Sequence, residues 1–232
     1  MIFNRQTNVS FTILAQWIMV PFPFMKGRAE MTTTSEKLPM LVLADGVPGP
    51  RQGEWTYSDY AALDDGQRYE IVNGVLLMTP APSWSHQEIV LEIASYLRTY
   101  LRKTGLGGAF VAPIDVELSP DDVFQPDIVV LLKESRDKLK DRHIVGAPDL
   151  VIEVTSPGTR VYDRLNKYDA YARARVPEYW LVNPKTQSVE VLVFDGQAYR
   201  SQGIFEGQAT LPSRVAPGLP VHVEEFFVSV WA

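Results

Sequence analysis

Cysteine is absent from the 232 residues. Its absence excludes disulfides, thiolate metal sites and a cysteine nucleophile, and favours a reducing compartment, most simply the cytoplasm. A positive charge excess is also missing: 22 Lys and Arg face 28 Asp and Glu, for a net charge of −6. Proteins that coat nucleic acid are basic, so contact with phosphate here needs a local patch or a metal ion that neutralises acidic residues. Long apolar runs are absent except for VSFTILAQWIMVPFPFM, residues 9–25, which Gln16 and two prolines interrupt. Its longest proline-free run, about a dozen residues, falls short of the roughly 20 that span a bilayer. No small-x-small cleavage site follows it, so no membrane association is expected.

What is present is ordinary globular composition, 46% hydrophobic and 22% charged, enough for a sizeable core. The first 30 residues hold three basic residues and one acidic, leaving 19 basic against 27 acidic beyond them. They read as a gene-start artefact or a mobile extension. Met31 is then the expected native start, with MTTTSEKLP as a disordered cytoplasmic leader. Pro39, Gly46, Pro48, Gly49, Pro50 and Gly53 mark residues 31–53 as a linker or arm. The expected division is an extension and linker over 1–53 and one compact domain over 54–232.

In that domain, TYSDYAAL offers Thr56 or Ser58 as the N-cap of a short helix. YEIVNGVLLM reads as a hairpin about Asn73-Gly74, both of which tolerate the positive φ of a type I′ turn. SHQEIVLEIASYLRTYLRKTG pairs Ser85 with Glu88 in a capping box and lines Ile89, Ile93, Leu97 and Leu101 along one face. Arg98, Arg102 and Lys103 sit where a helix dipole favours cations, and Gly105 closes the helix. Three strands are predicted next, FVAPIDVEL (110–118), PDIVVLL (126–132) and PDLVIEVT (148–155), with KESRDKLKDRH as a solvated excursion before the last. Ser156 and Pro157 begin a helix that runs to Arg175. EYWLV is a strand, and VEVLVFDGQAYR a second hairpin on an Asp-Gly turn. The order α, β, β, β, α, β with a hairpin at each end describes one α/β domain on a mixed sheet.

Glu153 stands out in PDLVIEVT. A strand between helices is apolar on both faces, and a lone buried carboxylate costs several kcal/mol unless a cation or donors accompany it. One reading is a solvated strand end, or a pair with Arg160 or Arg164. The other is a metal site with a second carboxylate. Asp149 lies four residues away on the same strand, roughly 13 Å at about 3.3 Å per residue, too far to share one Mg²⁺. Asp127 in QPDIVV can approach sideways, since adjacent strands lie about 4.8 Å apart. The following helix adds Arg160, Arg164, Lys167, Arg173 and Arg175 against Asp163 and Asp169. Lys167 either pairs with Asp163 across one helical turn or supplies the cation that phosphoryl transfer needs.

These residues resemble the PD-(D/E)xK nuclease superfamily, and more closely the Uma-two family of restriction endonucleases. The resemblance runs from Tyr57 to Phe227 through YEIVNG, SHQEIV, QPDIVV, GAPDLVIEVTSPGT, the spacing Asp163, Lys167, Tyr171, and VPEYWLV. It implies a restriction endonuclease-like αβββαβ core. It also implies Mg²⁺, or Mn²⁺, held by Asp127, Glu153 and the main-chain carbonyl of Val154. Thr155 stands where the superfamily has its lysine, and Lys167 is the position that would replace it. Glu70 and His86 match further motif positions and complete the implied catalytic set; Asp115 lies on the strand before Asp127. His143 and His222 read as surface residues.

The leading expectation is therefore a metal-dependent endonuclease acting on DNA. The alternative is a catalytically inactive interaction module on the same fold, because fold does not fix function. A carboxylate-pair glycosidase is a third reading, which a lysine facing the pair argues against. Two-strand cleavage needs two sites, so a homodimer is a further expectation. No recognition helix, zinc module or basic arm names a target sequence.

Overall fold

The computed structural model describes residues 42–155, 167–229 and 231. The leader and membrane-like segment within 1–41 lie outside the described residues, as do Ser156, Pro157, Arg160, Asp163 and Arg164. The strands are β1 (Val42–Leu43), β2 (Tyr69–Val72), β3 (Val75–Met78), β4 (Gly107–Val111), β5 (Asp115–Ser119), β6 (Asp122–Phe124), β7 (Ile128–Leu132), β8 (His143–Val145), β9 (Leu150–Val154), β10 (Glu178–Asn183), β11 (Ser188–Phe194) and β12 (Tyr199–Glu206). The described α-helices are α1 (Tyr57–Ala61), α2 (Trp84–Thr104) and α3 (Tyr168–Arg173). None of the described helices is long and apolar enough to cross a membrane.

The strands form two mixed sheets rather than the single one expected. One is ordered β1-β3-β2-β6-β5-β8 and the other β12-β11-β10-β9-β7-β4. The predicted strand 110–118 is the point of division. Pro113 has no N–H to give a ladder, so the chain leaves the second sheet after Val111 and enters the first at Asp115. It returns through Gln125-Pro126-Asp127, between β6 and β7. The central strands of the second sheet, β7, β9 and β10, are buried on both faces, as their unbroken apolar runs require. Ile89, Ile93, Leu97 and Leu101 of α2 pack on Ile128, Val130, Leu150 and Ile152. Val129, Val151, Tyr171 and Tyr179 fill the opposite side. Each fully buried Leu or Ile contributes about 1.5–3 kcal/mol, so the predicted α2 stripe anchors the helix on the strands that carry the site.

Two boundaries differ from the sequence reading. α2 is capped by Ser83, whose hydroxyl oxygen accepts the His86 N–H at 3.2 Å, rather than by Ser85. The earlier start makes His86 the third helical residue. Residues 42–53, read as arm, join the first sheet: Val42 pairs with Met78 and Leu43 with Leu77, and Ala44 and Trp55 are buried. Gly74 makes this docking possible. Its φ of 73° completes the hairpin turn with Asn73 at 49°, and the Gly53 and Trp55 N–H groups both donate to its carbonyl. A Cβ at this position would collide with the Gly53 carbonyl. Gly74→Ala is therefore expected to lower stability by about 1–3 kcal/mol, read as a shift in the urea midpoint. An unchanged midpoint would mean that the 42–53 segment contributes nothing to stability.

Candidate active site

The antiparallel pairing of β7 with β9 sets the centre of the site. Ile128 faces Ile152 and Val129 faces Val151, so one step beyond the ladder Asp127 comes opposite Glu153. Asp127 Oδ2 accepts the Val154 N–H at 2.7 Å, and its Oδ1 lies 2.9 Å from His86 Nε2. Asp149 serves elsewhere. It accepts the Leu132 N–H at 2.7 Å and the Ser135 hydroxyl at 3.1 Å, pinning the 3-10 helix Lys133–Lys138.

Glu153 is not solvated, being only 4% exposed. Its Oε1 accepts from Lys167 Nζ at 3.0 Å and from the Tyr171 hydroxyl at 2.7 Å. Lys167 and Tyr171 are four residues apart and so share one helical face. Lys167 Nζ is also 3.0 Å from Glu70 Oε1, and Glu70 and Lys167 are 2% and 5% exposed. An isolated buried ion carries a penalty of several kcal/mol; an ammonium shared by two carboxylates offsets it for all three groups. Burial first, then the Glu153 charge, push the Tyr171 hydroxyl well above its ordinary pKa. Tyr171 therefore stays protonated and donates. Thr155 takes no part: its N–H and its hydroxyl both donate to the Val182 carbonyl, at 2.8 and 3.1 Å.

Behind this centre, Gln125 fixes the connection between β6 and β7 to the first sheet. Its N–H donates to Glu70 Oε1 at 3.1 Å, and its side-chain oxygen accepts from Arg68 Nε at 2.9 Å. Its amide nitrogen donates to Asp115 Oδ1 at 2.8 Å and to the Tyr60 hydroxyl at 3.0 Å. Burial raises the pKa of the Asp115 carboxyl, against the hydrogen bonds from Gln125 and Tyr60. Asp115 thus supports Gln125 rather than Asp127 directly. The structure joins Glu70, Lys167 and Glu153 in one cluster and His86 with Asp127 in another, with Asp127 opposite Glu153 across the β7–β9 pair. His143 is not the isolated surface residue expected. It stacks on Tyr57, with ring centroids 4.1 Å apart, and lies 3.2 Å from Glu117. His222 is exposed and hydrogen-bonds the Gln208 carbonyl.

The residues suit a hard divalent cation. With a neutral His86, Glu70, Asp127 and Glu153 against Lys167 leave a local charge of −2. All the acidic donors are oxygen atoms, the type Mg²⁺ and Mn²⁺ prefer. A carboxylate has about four lone-pair sites, and the two bonds to Asp127 leave others open. Among the described residues no three His, Asp or Glu form a metal cage. Mg²⁺ needs none, since it is commonly held by one or two carboxylates and keeps several waters.

Sequence reasoning did not assign a role to Tyr171 or Gln125. The i,i+4 spacing from Lys167 signals the former. The latter carries no local signal, because its partners lie on other elements.

A solved protein of the DUF820 group from Anabaena variabilis ATCC 29413, described as "a putative nuclease", has a related fold. The TM-score is 0.61 at 21% identity, covering 74% of this chain and 97% of that one. No curated protein matches. The family model described as "Uma2: Putative restriction endonuclease" matches residues 56–224. That span holds the β7–β9 pair, His86, Glu70 and Lys167 together, and on it the chain belongs to the Uma2 family.

Proposed function

We propose that the protein is a metal-dependent endonuclease that hydrolyses DNA phosphodiester bonds, with Mg²⁺ or Mn²⁺ as its ion. The observation that carries this reading is a buried lysine 3.0 Å from both Glu70 and Glu153, with Asp127 opposite Glu153 across the paired strands. Asp127, Glu153 and the Val154 carbonyl are the groups that would hold the ion. The Val154 N–H points at Asp127, and in a strand the carbonyl of the same residue faces the same side. A bound divalent ion would activate water and offset charge on the phosphoryl oxygens.

The chain's own residues do the rest. Lys167 gives the buried Glu153 a counter-charge and presents positive charge to the entering phosphate. Glu70 and Tyr171 fix the ammonium and the carboxylate in place. His86 holds Asp127 Oδ1, and the position of its imidazole lets it accept or return a proton. The absence of cysteine suits action in the cytoplasm.

A non-catalytic module on the same fold is favoured by one feature, the near-complete burial of Glu70, Glu153 and Lys167, which a purely structural ion cluster would share. The two readings separate on incubation of plasmid and single-stranded DNA with Mg²⁺ or Mn²⁺. Wild type is expected to cleave, and Asp127→Ala, Glu153→Ala and Lys167→Ala to lose cleavage. Equal residual cleavage in all four proteins would point to a contaminant and reject the nuclease reading.

A further inference from the structure

A second surface lies beside the site, in a groove of about 860 Å³ between α2, β4 and the chain after the 3-10 helix Lys133–Lys138. Four exposed cations line it, Arg98, Arg136, Lys140 and Arg142, against the single acid Asp141. That is a local surplus of +3 on a chain of net charge −6. Its lining is also apolar: Leu91 is 67% exposed and Val111 46%, with Phe110 beside them.

Two elements that line the groove also reach the candidate site. Val111 pairs with Ile128, and the Ala112 N–H donates to the Asp127 carbonyl at 3.1 Å. α2 carries His86 near its start and Arg98 twelve residues on, about 18 Å along the helix at 1.5 Å per residue.

We infer that this groove binds an unpaired nucleic-acid strand leading away from Asp127. The inference rests on the nuclease reading for its ligand, and on the groove's own chemistry for the form of that ligand. Phosphates match the cationic rim. The exposed bases of a single strand can pack on Phe110, Leu91 and Val111, the combination of charge and apolar platform that single-strand sites use. A duplex keeps its bases stacked inside and would leave those side chains in water.

The test compares two triple variants that lower the net charge equally. Arg98→Ala/Lys140→Ala/Arg142→Ala removes groove cations, and Arg51→Ala/Lys103→Ala/Arg214→Ala removes exposed cations elsewhere. Binding of a labelled single-stranded oligodeoxynucleotide, and of its duplex, is followed by fluorescence anisotropy in Ca²⁺ over a salt series. The groove variant is expected to bind the single strand at least about tenfold more weakly, with a salt slope lower by about 2, at roughly 0.7 for each phosphate no longer neutralised. The control variant should bind as wild type does, and the duplex should be less affected. Equal weakening in both variants overturns the inference. So does unchanged strand binding with a changed mass by light scattering, which would make the groove an interface between copies of this chain. Plasmid cleavage keeps the two readings apart. Groove-dependent strand binding by a protein that cleaves nothing sinks the nuclease reading alone. Cleavage by wild type together with unaltered strand binding by the groove variant sinks the groove alone.

Discussion

Replacing Lys167 by methionine is expected to lower stability by about 3–5 kcal/mol, the cost of leaving buried charges without their counter-ion. Lys167 sits 3.0 Å from both Glu70 Oε1 and Glu153 Oε1, and all three residues are at most 5% exposed. Methionine retains the side chain's length and apolar stem, so the loss reports charge rather than volume. It leaves two carboxylates facing each other with no ammonium between them. Domains are stable by only about 5–15 kcal/mol, so the urea midpoint should fall far. Adding Glu70→Gln to Lys167→Met removes one of the stranded charges and should restore part of the loss. If the single variant unfolds at the wild-type midpoint, Lys167 does not hold the cluster together.

Asp127→Asn should behave in the opposite way, with a large loss of cleavage and a small loss of stability. Asp127 is at the edge of the cluster, its side chain 18% exposed. Its Oδ2 partner is a backbone N–H, which an amide oxygen can still accept. No buried cation is left behind. The loss of carboxylate charge should nevertheless lower kcat/KM by about 10²–10³, the scale for removing one preorganised electrostatic group. Glu153→Gln should lose both activity and stability, since Lys167 and Tyr171 both bond to it. Kinetics and urea unfolding on the same preparations check this contrast. A large fall in the Asp127→Asn midpoint would show that its activity loss reflects unfolding.

The parts of the fold legible in the sequence are those fixed by local periodicity and turn chemistry. The four-residue stripe on α2 and the Asn73-Gly74 turn are of this kind, and both lie where their residues place them. The separation of the sheets was not legible, because β4 and β5 read as one run and only the pairing partners distinguish them. The strand alternation of PDLVIEVT pointed to Glu153, and the distance along one strand set Asp149 aside. Glu70 was implied by the family resemblance alone, and tertiary contact alone brings in Gln125. Glu70 is on the other sheet, 83 residues before Glu153 in sequence, and no spacing rule links them. Ser83 rather than Ser85 caps α2 because local side-chain to backbone bonding decides between two serines a single residue apart.

In the proposed nuclease, Asp127 and Glu153 act as one unit in phosphodiester cleavage. The most direct test of this claim is a double-mutant cycle on plasmid cleavage in Mg²⁺, with Asp127→Asn, Glu153→Gln and the double variant compared by kcat/KM. Residues that act as a unit are strongly non-additive, so the double variant should cleave no more slowly than the worse single variant. Losses that multiply, or a wild type that does not cleave, would contradict the claim.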